Sequence, residues 1–302
     1  MVRLHDVARP AAMISQTWPT SRETEGATLG AIEAAMANGF FTALQTVEVP
    51  FPDERKQIAG AIGDRPLTYC VSRVLNENKL NLSSLDASIR EASSAKVIAC
   101  FDDAREAGAS GVSFISGARP DEPGKREDAL AALQESLAPI CEAAAQGPAL
   151  RVLIEPLDTD AHKENTLGTT REALALCGAL QRKGLGLRLC LDTAHMVLNG
   201  ESPIEELPAA IAFTDEFHFC NCVTDQGHEL FGDRHIAFGE PGWLTVQEMG
   251  RLMHGLVDTG FLNEQKKPVL LCEVLKTEAV TSEDLLAAAE KALCDAWEMA
   301  NE

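Results

Sequence analysis

The chain has 302 residues, and its 26 Lys and Arg against 46 Asp and Glu give a formal net charge of −20. That length suffices for one large domain, and that charge would repel polyanions, so neither nucleic acid nor an anionic membrane surface is an expected partner. The nine cysteines form no paired framework and several sit inside apolar runs, which points to packed thiols in a reducing cytosol.

The N-terminal MVRLHDVARPAAM lacks the apolar core of a secretory signal, and no stretch reaches the ~18 apolar residues of a membrane span. A soluble cytoplasmic protein is expected. From there apolar runs and helical periodicity alternate. Ala12 to Trp18 reads as the first strand and Glu25 to Asn38 as its helix, with Leu29, Ile32 and Met36 on one face and a stop at Gly39. Phe41 to Val49 is the second strand, ending near Glu48, and Pro52 to Ile62 a short helix. Leu67 to Val74 is the third strand, followed by a helix over Ser83 to Ala107 with a serine cap. Gly111 to Ser116 and Arg126 to Ala145 make the fourth pair, Arg151 to Leu157 and Thr170 to Arg182 the fifth. Leu185 to Leu191 and Pro203 to Ala212 make the sixth, Glu216 to Val223 and Thr245 to Thr259 the seventh, Pro268 to Leu275 and Ser282 to Met299 the eighth.

Eight β-then-α units predict an α/β protein with a single (β/α)8 TIM barrel over residues 1–302 rather than an open doubly wound sheet. Two insertions break the short-loop rhythm, residues 158–169 after strand five and 224–243 after strand seven. Both follow the C-terminal end of a strand, where barrel enzymes carry their catalytic loops, and their polar content fits a wall or lid.

Four apolar strands in succession end in a potential ligand: LIEPL at Glu155, LCLD at Asp192, FHFCN at His218 and LLCEVL at Glu273. Any one of these alone is as well explained by a salt bridge or a helix cap. Neighbouring strands lie about 4.8 Å apart, so the four together would line one arc of a barrel mouth. Three carboxylates there would repel one another unless a divalent cation neutralised them. Oxygen donors with one imidazole suit Mn²⁺ first, with Mg²⁺, Co²⁺ or Zn²⁺ as alternatives.

A further set surrounds these four. His195 lies three residues past Asp192 and reads as a substrate or second-metal group, or as a histidine satisfied by loop backbone. Asp233 and His235 would project together from an extended loop as a second metal or substrate pair. Arg234 between them, and Glu48 at the end of strand two, are candidates for gripping substrate. FGEPGW, Phe238 to Trp243, reads either as a turn presenting N–H groups to an anion or as a plain connection. No nucleophile elbow, P-loop or strand-linked dinucleotide fingerprint is present, so no nucleotide cofactor is expected. Cys220 and Cys222 alternate onto one face of strand seven and read as a packed layer.

Over its second half the chain resembles the xylose-isomerase-like barrel superfamily of sugar isomerases and epimerases, inosose dehydratases and apurinic-site endonucleases. The resemblance implies that Glu155, Asp192, His218 and Glu273 bind one divalent metal. DTAHM resembles the ketose 3-epimerase form, in which the trailing histidine, here His195, contacts substrate. GDRHIAFGEPG resembles the D-R-H segment of the endonuclease branch, where Asp and His hold a further zinc. That branch also has histidines on strands two and three, where this chain has Glu48 and Ser72 with Arg73.

The expected activity is a metal-dependent sugar isomerase or epimerase in which Glu155 and Glu273 move a proton through an enediolate. The alternative is a lyase or dehydratase of an oxidised sugar or inosose. Less expected are an endonuclease-like phosphodiesterase and a non-catalytic binding subunit. The expected partner is a small sugar or polyol, and self-association is left open.

Overall fold

The structure is a computed structural model describing residues 2–301, in which strands and helices alternate along the chain. In order they are β1 Arg9–Met13, α1 Ala27–Ala37, β2 Ala43–Val47, α2 Pro52–Ile62, β3 Leu67–Cys70, α3 Ala87–Glu106, β4 Gly111–Ile115 and α4 Arg126–Ala144. There follow β5 Arg151–Glu155, α5 Thr170–Gln181, β6 Arg188–Asp192, α6 Pro203–Ala210, β7 Thr214–Val223, β8 Gly232–Ile236, α7 Val246–Asp258, β9 Val269–Glu273 and α8 Ser282–Ala300. This is the predicted eightfold β-then-α order with one strand added. None of the described helices is long and apolar enough to cross a membrane. By contacts the chain divides into two compact units, one from the residues up to 45 and from 191 onward, the other from residues 46–190.

In the first unit β9 pairs in parallel with β1 on one side and β7 on the other, and β1 pairs with β2. The register sets Ala11 opposite Leu271 and His218 opposite Leu271, with Cys220 opposite Glu273. Residues in register share a face, so Ala11, Met13, Ala43, Val269 and Leu271 form one apolar layer. Phe217 and Phe219 alternate to the other face of β7, their rings 5.4 Å apart and edge to face. Helix α7 buries Met249, Leu252, Met253 and Leu256, the i, i+3, i+4, i+7 stripe of an amphipathic helix, and Thr245 caps it by accepting from Glu248 N.

The second unit carries β3, β4, β5 and β6 in parallel order, with Ile115 opposite Glu155 at the far end of the β4–β5 ladder. The cap of α3 is Asp86, whose carboxylate accepts from Ser88 N at 2.8 Å. Ser83, expected in that role, is instead buried with its hydroxyl 2.6 Å from that of Thr166. Residues 158–169 are stitched down: Thr166 N donates to Gly117 O, Leu167 N to the Ser116 hydroxyl and Asn165 N to Asp158 O. The first two bonds hold the insertion to the segment just after β4.

Three expectations need correction. The first strand ends at Met13, because the chain turns helical over Ile14–Thr17, with Trp18 N bonded to Ile14 O and the Thr17 hydroxyl to Met13 O. Strand three likewise stops at Cys70 and gives way to a helical turn over Ser72–Glu77. Residues 224–243 are not a plain loop: β8 folds back antiparallel on β7, with Cys222 opposite Asp233 and a register shift at Asn221. Asn221 pins the turn that follows, its amide donating to Ala237 O and Gly239 O and accepting from Leu244 N. A Cβ on Gly242 would sit 2.2 Å from that amide, so only glycine fits there. The N–H groups of Gly239, Gly242 and Trp243 in FGEPGW go to carbonyls of the turn and of β7, so these three serve the connection.

Candidate active site

Strand β6 runs Leu189, Cys190, Leu191 as a fully buried stretch, then meets Asp192, which ends the strand by capping the helical turn Thr193–Leu198. Its Oδ1 accepts from Ala194 N at 2.8 Å and His195 N at 3.2 Å, which fixes the plane of the carboxylate. The Thr193 hydroxyl donates to Cys220 O and accepts from Cys220 N, tying this turn to β7.

Alternation along β7 puts Glu216, His218 and Cys220 on one face, and the ladder puts Glu273 beside Cys220. The His218 ring leans along the face so that Nδ1 lies 2.9 Å from Glu273 Oε1, while Nε2 is 3.7 Å from Glu216 Oε2. Asp192, His218 and Glu273 each offer one ligand atom within 4.8 Å of the others. The second oxygen of Glu273 accepts from Gln16 Nε2 at 2.9 Å, so the helical turn after β1 orients this carboxylate.

Strand β8 delivers the remaining groups. Asp233 is buried between two imidazoles, its Oδ1 3.2 Å from His235 Nδ1 and its Oδ2 3.7 Å from His195 Nε2. His235 Nε2 lies 3.2 Å from Glu273 Oε2, and the Cys220 thiol donates to Asp233 Oδ1 at 3.3 Å. His235 holds a left-handed φ of 52°, a conformation that costs a non-glycine residue about 1–3 kcal/mol. Leu275 N, bonded to His235 O at 2.8 Å, helps keep it there.

Counting charge decides what this cluster can hold. Asp192, Glu216, Asp233 and Glu273 bring four carboxylates, against the three imidazoles of His195, His218 and His235. Carboxylates gathered in a buried space are costly to ionise unless cationic groups accompany them. A divalent cation fits this donor set in sign and in chemistry. Burial opposes ionisation of Glu273, but the hydrogen bond and charge of His218, with the charge of His235, overcome it and hold the group below the usual carboxylate range. Burial and the surrounding carboxylates Asp192, Asp233 and Glu273 push the Cys220 thiol far up.

The structure therefore brings Asp192, His195, His218, Asp233, His235 and Glu273 together. Arg234 alternates outward on β8, exposed, with Nε bonded to Phe231 O. Glu155 ends β5 and Glu48 follows β2, both half-buried and both in the second unit. Sequence reasoning missed three groups. Gln16 was assigned to a strand that ends before it, and Cys220 was read as packing only. Glu216 lay at the start of a predicted strand, although its two-residue spacing from His218 carried the signal.

The solved structures similar to this chain share its fold at low identity. A D-psicose 3-epimerase with D-tagatose from Clostridium cellulolyticum H10 matches with a TM-score of 0.69 and 15% identity, over 97% of this chain and 98% of the other. An L-ribulose 3-epimerase matches at 0.71 and 17%, over 97% and 96% of the two chains. The IolI protein with a binding zinc atom matches at 0.66 and 12%, over 95% and 97%. No curated protein sequence matches. The family model described as xylose isomerase-like TIM barrel matches residues 30–292, and the chain belongs to that family and has its (β/α)8 barrel fold.

Proposed function

We propose that the protein is a divalent-metal-dependent isomerase or epimerase of a sugar or sugar derivative, working by proton transfer at a carbon next to a carbonyl. The observation that carries this reading is the convergence of Asp192 and Glu273, at the ends of β6 and β9, with His218 from the middle of β7, their ligand atoms within 4.8 Å. Glu155 is assigned as the fourth ligand because it ends the apolar run of β5 as Asp192 and Glu273 end theirs. The sugar 3-epimerases among the similar structures support the substrate class.

A bound divalent ion, Mn²⁺ by preference, would supply Lewis-acid polarisation of the substrate carbonyl. The chain's own groups do the rest. One of Glu155 and Glu273 takes the proton from the carbon and the other returns it, on the opposite face for an epimerase. His195, set beside Asp192 by the capping bonds, hydrogen-bonds a substrate hydroxyl. Asp233 and His235 either orient that hydroxyl's neighbours or hold a second ion, and Arg234 and Glu48 are proposed as outer substrate contacts. The same proton abstraction followed by loss of a β-leaving group would make the protein a lyase.

The test is deuterium exchange. With Mn²⁺ in D₂O, at least one member of a panel of ketoses, aldoses, inososes and 3-oxo-sugars should acquire label at carbon. Product analysis then separates epimerase from lyase. A general base contributes roughly 10²- to 10⁴-fold, so Glu155→Gln and Glu273→Gln should each remove the label while the far-UV spectrum is kept. Exchange at the parental rate in both variants would overturn the two-carboxylate mechanism, and cleavage of an abasic-site duplex without exchange would replace the reading with a phosphodiesterase.

A further inference from the structure

We propose that Cys220, His235 and Glu273 form a second cation position, thiolate-ligated and suited to zinc, joined to the first through the two oxygens of Glu273. The inference shares Glu273 with the site proposed above and in that respect rests on it.

The geometry comes from the β7–β9 ladder and the β8 hairpin. Cys220 and Glu273 are in register on one face, and Cys220 Sγ, a ring nitrogen of His235 and a carboxylate oxygen of Glu273 lie within 4.8 Å of one another. The two oxygens of Glu273 serve different partners, Oε1 facing His218 Nδ1 at 2.9 Å and Oε2 facing His235 Nε2 at 3.2 Å. A carboxylate shared in this way can bridge two ions, the arrangement of two-metal sites about 3.5–4 Å apart. Oε2 can keep its bond from Gln16, since a carboxylate oxygen takes more than one partner.

His235 is prepared for the role by Asp233. With Asp233 Oδ1 3.2 Å from Nδ1, that carboxylate would hold the ring proton on Nδ1 once a cation takes Nε2 on the Glu273 side. A carboxylate behind a histidine behind a metal is the usual way such a ring is oriented. Asp233 is thus a positioning residue here, unlike in the His195, Asp233, His235 set expected from the D-R-H motif, where it would be a ligand. The sulfur selects the ion. Two nitrogen or oxygen donors and one thiolate favour Zn²⁺ over Mn²⁺ or Mg²⁺, and on binding the Cys220 thiol gives its proton to solvent as the S–metal bond forms.

Cobalt reports both positions without any substrate. Chelator-stripped protein is titrated anaerobically with Co²⁺ while the near-ultraviolet sulfur-to-cobalt charge-transfer band and the visible d–d bands are followed. Two equivalents should bind, one of them raising the sulfur band. Cys220→Ser should abolish that band and one equivalent while keeping the other, with Cys220→Ala giving the same result and circular dichroism confirming the fold. Asp192→Asn should weaken the first equivalent and retain the sulfur band, and His195→Gln should retain it too. A single equivalent without a sulfur band overturns this inference and leaves the proposed function standing. A band that survives Cys220→Ser, or is lost with His195→Gln, also overturns it. Failure to bind any cobalt removes both readings.

Discussion

Glu273 is the residue on which the cluster converges, touched by His218 on one oxygen and by His235 and Gln16 on the other. Of these only Gln16 offers no charge and no competing claim on a metal, so its amide acts as a fixed clamp on the carboxylate. A hydrogen bond to a charged group is worth about 1.5–3 kcal/mol, and removing the outer partner of a metal ligand typically costs about 10- to 100-fold in affinity. Gln16→Leu should therefore weaken Mn²⁺ binding by roughly that factor in a chelator-competition titration, with the circular dichroism spectrum of the metal-free protein unchanged. Gln16→Asn should fail to rescue, since the shorter side chain withdraws the donor. Equal metal affinity in Gln16→Leu would show that Glu273 needs no clamp.

At the scale of elements, the helices of the second unit are tied by specific ion pairs. Glu172 closes the capping box at the start of α5 with Thr169 and also takes both ends of the Arg126 guanidinium at the start of α4, at 2.7 and 2.6 Å. Burial works against its ionisation, but the Arg126 bonds and the backbone N–H of Thr169 win and hold its carboxyl below the usual range. A carboxyl depressed by folding stabilises above its unfolded value of about 4.3, and that contribution is lost as pH falls toward the lower folded value. Glu172→Gln should cost about 1–3 kcal/mol in urea unfolding at pH 7. The gap from the parent should close as the pH is lowered below about 4. A gap that stayed constant to pH 3 would place the loss in packing and not in charge.

Strands whose apolar runs stop at an acid were readable, because a carboxylate is costly to bury and marks where a buried stretch stops. Asp192 and Glu273 are indeed the last residues of β6 and β9, and Glu155 of β5. The start of β6 was not readable, since Leu185 and Leu187 look like strand. Leu185 N instead closes α5 by bonding Leu180 O, beyond a left-handed Gly184. Strand β8 was invisible for the opposite reason. Its sequence Gly-Asp-Arg-His-Ile has no apolar alternation, because its inner face is polar and looks onto the cluster. Gln16 was lost in the same way, when an apolar run was extended through Ile14 into what is a helical turn.

At the scale of the whole molecule, the charge of −20 and the four buried carboxylates act in the same direction. Both raise the free energy of the metal-free protein and are relieved by a divalent cation. An ion that binds the native state and not the unfolded chain stabilises by about 2.7 kcal/mol at 100 times its dissociation constant. For a chain of this size that corresponds to a rise in melting temperature of roughly 4 °C. The rise should grow with the logarithm of free Mn²⁺ and be reversed by chelator. It should also fade as pH falls, because protons compete with the ion for the same carboxylates and imidazoles. Monovalent salt should give a smaller, unsaturable increase by screening the net charge alone. Asp192→Asn separates the two effects, since it should keep the salt response and lose most of the Mn²⁺ response. Were the Asp192→Asn protein to respond to Mn²⁺ as fully as the parent, the stabilisation would come from diffuse surface binding, and the convergence at β6, β7 and β9 would not be where the ion sits.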